Sequence, residues 1–86
     1  MMDGISLYQE LDFLHDLIIK QDFQTYDEVL AKINISFTHT TLILGLLRTA
    51  FLHKENIPNW NKFLVEAKNE LIIRNLDAHK LLRGLL

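Results

Sequence analysis

The chain has 86 residues, of which 49% are hydrophobic, and it contains 3 glycines, 1 proline and no cysteine. This length allows one domain, 1–86, and so high an apolar content excludes a disordered chain. Because the chain has no cysteine, it can form neither disulfides nor thiolate metal sites. Its net charge of −2 disfavours binding to the phosphates of nucleic acids.

The first predicted helix begins at about Ile5 or Ser6 and ends at about Lys20. Apolar residues follow one face at the spacing i, i+4, i+7 and i+11, at Leu7, Leu11, Leu14 and Ile18. Further apolar side chains widen this stripe on both sides, at Tyr8, Phe13, Leu17 and Ile19. We therefore expect the helix to contact more than one neighbour.

A second, shorter helix is predicted from about Phe23 to Ile33, with Asp22 as its N-cap or, alternatively, with Thr25-Tyr26-Asp27-Glu28 as a capping box. Its predicted buried side consists of Phe23, Tyr26, Val29, Leu30 and Ile33. Asn34 suits the left-handed position that follows a helix. The connector 35–39 then carries serine and threonine side chains that can cap the next helix.

The third predicted helix, about 40–54, is the central element of the fold. Its apolar surface is interrupted on a helical wheel only by Thr41, Gly45, Arg48 and Thr49, and Leu52 lies among these positions. A helix that is apolar on nearly every side must be surrounded by other elements. Glycine costs about 1 kcal/mol relative to alanine inside a helix, so we expect a neighbour to pack close to the backbone at Gly45.

Pro58 interrupts the helical pattern and suits the first turn of a fourth helix, about 58–74. The predicted inward face of this helix is Trp60, Phe63, Leu64, Ala67, Leu71 and Ile72. Asp77 is the predicted N-cap of a last short helix, 78–82, and Leu76 is placed to pack back against it. The sequence thus predicts an all-α fold, a small bundle of four to five helices packed around the central apolar helix at about 40–54.

Charge is divided unevenly between the two halves of the chain. Residues 1–43 hold two basic and seven acidic residues, a net charge of −5, whereas residues 44–86 hold seven basic and four acidic residues, a net charge of +3. Either the acidic early helices lie against the basic late ones within one bundle, or the two halves attract oppositely charged partners, including a second copy of the chain.

Catalytic, cofactor-binding and metal sites are not expected. The four histidines, His15, His39, His53 and His79, lie on different segments without the i, i+4 spacing of a ligand pair. Ser36 is near His39 but lacks the glycine-rich elbow of a nucleophile, and three isolated glycines cannot form a phosphate-binding loop. The sequence therefore predicts that the protein is not an enzyme and binds no cofactor.

Arg48 has two interpretations. It could pair with an acidic residue of the early helices, such as Asp27 or Glu28, while its stem covers apolar surface. Alternatively Gly45, Arg48 and Leu52, at the spacing i, i+3, i+7, form an exposed stripe that binds a partner helix, with the arginine as an anchor.

A nucleic-acid-associated regulator is the alternative class of function. Its basic surface would come from the last two helices and the preceding turn, at Lys54, Lys62, Lys68, Arg74, Lys80 and Arg83. Four acidic neighbours largely cancel this charge, at Glu55, Glu66, Glu70 and Asp77. Phosphate contacts dominate such affinity, so nucleic acid is the less favoured partner.

Residues 23–86 resemble small helical proteins of unknown function that occur in bacteriophage genomes. The resemblance is carried by Leu47-Arg48, Pro58-Asn59-Trp60, Phe63-Leu64, Leu71, Asp77 and Leu81-Leu82-Arg83-Gly84-Leu85. It implies a cytoplasmic protein that acts inside an infected bacterium by binding a host or phage protein, and it implies no active site.

Localisation is expected to be cytoplasmic and without membrane insertion. The first residues, Met1 to Gly4, lack the basic start of a secretory signal, and the apolar run 42–52 is about half of the roughly 20 residues that a membrane span needs. The leading hypothesis is a non-enzymatic protein-interaction module, whose partner is a host or phage protein or a second copy in a homodimer. Its basis is the excess of apolar residues, including Leu85-Leu86 at the end of the chain.

Overall fold

The computed structural model describes residues 4–85, and it describes side chains from Gln9 to Leu85. These residues form five α-helices: α1 (Gly4–Ile19), α2 (Phe23–Lys32), α3 (Thr40–Thr49), α4 (Trp60–Ile73) and α5 (Ala78–Leu81). Two 3₁₀ segments, Ile35–Phe37 and Phe51–Asn56, flank α3. The predicted all-α bundle is confirmed. The positions predicted for the Leu7, Tyr8 and Leu86 side chains, and the first residues Met1 to Asp3, lie outside the described part.

Helix α3 is the centre of the bundle, as its composition predicts. Ile43, Leu46 and Leu47 are fully buried, and α1 and α4 both pack against α3, while α2 packs against α1 and α4. The predicted length of this helix is wrong, however. It ends at Thr49, and the chain continues as a tighter 3₁₀ segment that places Ile57 in the core.

Two buried aromatic side chains bind the carboxyl-terminal turn of α3. The Tyr26 hydroxyl on α2 donates a hydrogen bond to the Leu46 carbonyl, and the Trp60 indole Nε1 on α4 donates to the Leu47 carbonyl at 3.1 Å. The last four carbonyls of a helix lack the usual intrahelical partner. Tyr26 and Trp60 therefore join α2 and α4 to the central helix by hydrogen bonds as well as by apolar contact.

The helix caps confirm part of the predicted boundaries. Asp22 accepts a hydrogen bond from the Thr25 backbone nitrogen at 3.2 Å, and Asp77 accepts one from the Lys80 nitrogen at 3.1 Å, so both are N-caps as predicted. The left-handed role predicted for Asn34 is wrong. Asn34 has an extended backbone, with φ −92°, and its side chain instead caps the 3₁₀ segment Ile35–Phe37.

The start of α4 is held by a side chain that the sequence analysis assigned elsewhere. The Asp27 carboxylate on α2 accepts hydrogen bonds from the Asn59 backbone nitrogen at 2.7 Å and from Asn59 Nδ2 at 2.9 Å. A carboxylate at a helix amino terminus is stabilised by the helix dipole as well. The predicted pairing of Arg48 with Asp27 or Glu28 is wrong, because the Arg48 Nη2 donates to the Leu81 carbonyl at 2.6 Å.

Arg74, the C-cap of α4, ties three segments together. Its guanidinium forms a salt bridge of 2.9 Å with Glu70, one turn earlier on the same helix. It also donates to the backbone carbonyls of Ile35 at 3.0 Å and Thr38 at 2.7 Å, and to the Thr40 hydroxyl at 2.8 Å. The i, i+4 spacing of Glu70 and Arg74 is typical of an ordinary surface pair, whereas their side chains are only 12% and 22% exposed.

Several apolar side chains predicted to face the core lie at the surface. Ile72 is 55% exposed, because it lies about 100° around the helix from the buried Leu71 and beyond the neighbouring helices. Leu76, the predicted staple, is 39% exposed, and its contact with the last helix stays a prediction. On α1, Phe13 and Ile19 are also largely exposed. The apolar stripe of α1 is therefore wider than the surface that its neighbours cover.

Among the helices of residues 4–85, none is both long enough and apolar enough to cross a bilayer.

We predict that the Tyr26 hydroxyl makes stability fall at alkaline pH. Burial raises the pKa of Tyr26 above its ordinary value, so the folded state holds this proton more tightly than the unfolded state does. The free energy of unfolding must then decrease as the pH rises above about 10, the pKa of an unfolded tyrosine. Urea denaturation between pH 7 and 11 should show a steeper alkaline loss for the wild type than for Tyr26→Phe.

At neutral pH the Tyr26→Phe variant should be less stable than the wild type by about 1 kcal/mol, the net value of one hydrogen bond. This deficit should shrink as the pH passes 10. Two stability profiles that stay parallel up to pH 11 would contradict the prediction.

We predict that Arg74→Ala lowers the free energy of unfolding by about 2–4 kcal/mol, because it leaves Glu70 and the Ile35 and Thr38 carbonyls without their donor. Arg83→Ala is the matched control: Arg83 is exposed, and its loss should change stability by no more than about 0.5 kcal/mol. Chemical denaturation of both variants measures the difference, and equal effects would refute the role given to Arg74.

Candidate functional site

An open groove crosses the surface between α1, α2 and the amino-terminal end of α3. Two adjoining cavities, of about 550 and 310 Å³, make up this groove and share Glu10, Ile33 and Leu42 as lining residues. A third cavity, of about 360 Å³, adjoins them at Val29 and Ile33 and is lined by α2 and its C-cap alone. The largest lies beside the 3₁₀ segment Ile35–Phe37 and is closed on one side by Arg74. The smallest lies between Phe13 on α1 and Val29 on α2, with Leu42 of α3 as a further wall.

Apolar side chains line part of each cavity of the groove, and each cavity has one exposed phenylalanine among its lining residues. Phe13 lines the smallest cavity and is 54% exposed, and Phe37 lines the largest and is 88% exposed. Val29 and Ile33, between them, are partly buried against the core. Aromatic side chains beside an apolar cavity are common anchors of protein interfaces.

Local hydrogen bonds fix the segment that presents Phe37. The Phe37 nitrogen donates to the Asn34 carbonyl at 3.1 Å, and the Thr38 hydroxyl donates to the same carbonyl at 2.7 Å. The bonds from Arg74 to the Ile35 and Thr38 carbonyls hold this turn against α4. Phe37 therefore projects from a backbone that is fixed on both sides of it.

The charges beside the groove are mostly negative. Glu10 on α1 lines both the largest and the smallest cavity, and Glu28 and Lys32 on α2 line the third. The charge of Arg74 is balanced by its salt bridge to Glu70. Two carboxylates against one lysine leave a net charge of −1 around the apolar floor.

The stripe predicted to bind a partner, Gly45, Arg48 and Leu52, is divided in the structure. The Leu11 side chain of α1 occupies the space where a Cβ atom of Gly45 would lie, which confirms the close approach expected there. Arg48 is exposed and its guanidinium is bonded to the Leu81 carbonyl beside α5. Leu52 is 87% exposed on the 3₁₀ segment that follows α3. Partner binding by the three residues stays a prediction.

Helix α4 presents a second apolar surface, on the side opposite its buried residues. We call it the α4 face, and it consists of Val65, Ile72 and Ile73, which are 59%, 55% and 72% exposed. Lys62 and Glu66 lie exposed beside it, and the partly buried Lys68 lies at its other edge. The core covers none of these three side chains fully.

The basic residues of the second half are only partly available to an external partner. Arg74 is bound inside the fold, and the Lys54 ammonium lies 4.6 Å from the Phe51 ring centroid and 5.3 Å from that of Trp60. Lys62, Lys80 and Arg83 are exposed. A nucleic acid would therefore meet a smaller basic surface than the sequence suggests.

The polar side chains of the described part that form hydrogen bonds cap helices or join segments, and they do not converge on one site. His39 Nδ1 accepts a hydrogen bond from the Thr41 nitrogen at 3.4 Å and caps α3. Among the described residues no group of three histidine, aspartate or glutamate side chains could hold a metal ion. Within the same part of the chain, every buried side-chain nitrogen and oxygen has a hydrogen-bond partner.

Sequence patterns alone do not predict the groove. One residue indicates it, because Phe37 lies in a connector of mostly polar residues, where a large apolar side chain has no helical face to join. Phe13 belongs by periodicity to the widened apolar stripe of α1, and periodicity cannot tell whether a neighbour covers the edge of that stripe.

Comparisons with protein families, with curated proteins and with solved structures find nothing that matches this chain.

Proposed function

We propose that this protein is a non-enzymatic protein-interaction module that receives an apolar segment of a partner protein in the groove between α1, α2 and α3. The observation that carries the proposal is the exposure of Phe13 and Phe37, each beside one of two cavities that share Ile33 and Leu42 as apolar lining residues. Burying an apolar side chain of this size contributes about 1.5–3 kcal/mol, so two such anchors supply useful binding energy.

The shape of the site favours a protein partner over a small metabolite. The groove is open along its length, whereas sites for small molecules enclose most of the ligand and hold it by a few converging polar groups. An amphipathic helix laid into an apolar groove is a common mode of protein recognition. The hydrogen-bonded turn that carries Phe37 supports this mode, since a fixed anchor loses little conformational entropy on binding.

The partner under this proposal is a host or phage protein, and the place of action is the cytoplasm of an infected bacterium. Support for this part comes from the resemblance to small bacteriophage proteins that is described above. The alternative, a nucleic-acid-associated regulator, would use the exposed Lys62, Lys80 and Arg83 and would bind less tightly as salt concentration rises.

We predict that Phe37→Glu abolishes capture of the partner. Affinity purification from the native host, read by mass spectrometry, should recover a protein with the wild type and lose it with this variant, because a carboxylate replaces the anchor. Phe37 is 88% exposed, so the variant should keep the melting temperature of the wild type.

Leu52→Glu is the matched control, since Leu52 is equally exposed and lies outside the groove. It should capture the same protein as the wild type. Loss of capture with Leu52→Glu and retention with Phe37→Glu would move the docking site to the stripe of Gly45, Arg48 and Leu52. Capture that is unchanged by both substitutions would refute both surfaces.

A further inference from the structure

We propose that the protein associates head to tail with itself, the α4 face of one copy lying in the groove of the next. The proposal rests on the proposed function, because it takes the same groove as the docking site and names a second copy of this chain as an occupant. It also gives a role to the α4 face, which the proposed function leaves unused.

The α4 face has the pattern that a helix needs to lie in an apolar groove. Val65 and Ile72 lie at the spacing i, i+7, and Ile73 widens the stripe. All three lie on the side of α4 away from its buried residues, and each is at least 55% exposed. Neighbouring exposed apolar side chains of this kind are typical of an interaction surface.

The charges beside the two surfaces are complementary. The groove has Glu10 and Glu28 against Lys32, while the α4 face is flanked by Lys62 and Lys68 against Glu66. The groove thus carries a net charge of −1 and the α4 face one of +1. The same opposition extends to the whole chain, whose first half is acidic and whose second half is basic. Contact between two α4 faces, in contrast, would bring like net charges together.

The positions of the two surfaces favour a chain of copies over a closed pair. Arg74, which lines the largest cavity of the groove, follows Val65 by nine residues, and nine residues turn a helix by about 180°. The groove and the α4 face therefore lie on opposite sides of α4. When unlike surfaces on opposite sides of a protein meet, each added copy leaves one groove and one α4 face free.

The test is light scattering of the purified full chain over a range of concentrations. The average mass of the wild type should rise with concentration beyond that of two copies. Phe37→Glu in the groove and Ile73→Lys on the α4 face should each weaken self-association at least about tenfold, as loss of one buried apolar anchor implies. Ile19→Glu, at an exposed apolar residue of α1 that lines none of the cavities, should behave as the wild type does. Circular dichroism and melting temperature establish that every variant is folded.

An equal mixture of Phe37→Glu and Ile73→Lys is the decisive sample. Each variant keeps the surface that the other has lost, so the mixture should form a pair and stop there, while each variant alone stays monomeric. A mixture that remains monomeric would overturn the proposal. So would a Phe37→Glu variant that still associates, which would indicate contact between two α4 faces, and so would a wild type that is monomeric at every concentration.

Reversing a flanking charge tests the electrostatic part separately. Glu66→Lys adds positive charge beside the α4 face and should strengthen self-association. Lys62→Glu removes positive charge there and should weaken self-association. If Glu66→Lys weakened self-association and Lys62→Glu strengthened it, the proposed contact between the groove and the α4 face would be overturned. These measurements use one purified protein, whereas the capture of a host or phage protein uses a lysate. The test of self-association can therefore fail while groove-dependent capture of another protein succeeds. Self-association can likewise be observed when no other protein is captured.

Discussion

The carboxyl-terminal turn of α3 lies inside the protein, so its carbonyls must find hydrogen-bond donors there. Tyr26 and Trp60 supply them from two different helices. A buried carbonyl without a donor costs free energy, and this requirement fixes where α2 and α4 lie around the central helix. Their two aromatic rings also fill much of the core, and both side chains are at most 1% exposed. Packing and hydrogen bonding thus select the same arrangement.

Arg74 performs the corresponding task at the amino-terminal end of α3. The connector between α2 and α3 carries backbone carbonyls that no regular helix can satisfy, and one guanidinium binds two of them together with the Thr40 hydroxyl. Arginine suits this position because its planar group offers five donors in fixed directions. The turn that Arg74 binds is also the turn that carries Phe37. Arg74 therefore stabilises the connector and fixes the position of Phe37 beside the groove.

A chain of this size has more apolar side chains than its own core can cover. Helix α1 buries Leu14 and Leu17 but leaves Phe13 exposed, and α4 buries Leu71 but leaves Ile72 and Ile73 exposed. Ile19 and Leu52 are exposed elsewhere, but Phe13 and Phe37 lie beside the groove, and Val65, Ile72 and Ile73 form the α4 face. Their opposite net charges give each surface a preference for the other, and the proposed head-to-tail contact would cover both.

Local sequence patterns predict the helices apart from the end of α3, the central position of α3 and the N-caps at Asp22 and Asp77, because periodicity and capping depend on residues close together along the chain. They also locate the close approach at Gly45, since a glycine inside an apolar helix has few other uses. The contacts of Asp27 with Asn59, of Arg48 with Leu81 and of Arg74 with the connector depend on the packing of the helices, because each joins residues more than 30 positions apart. The groove belongs to this second group. Its floor comes from three helices, and whether Phe13 or Ile72 is buried depends on where the neighbouring helices end, which no local pattern records.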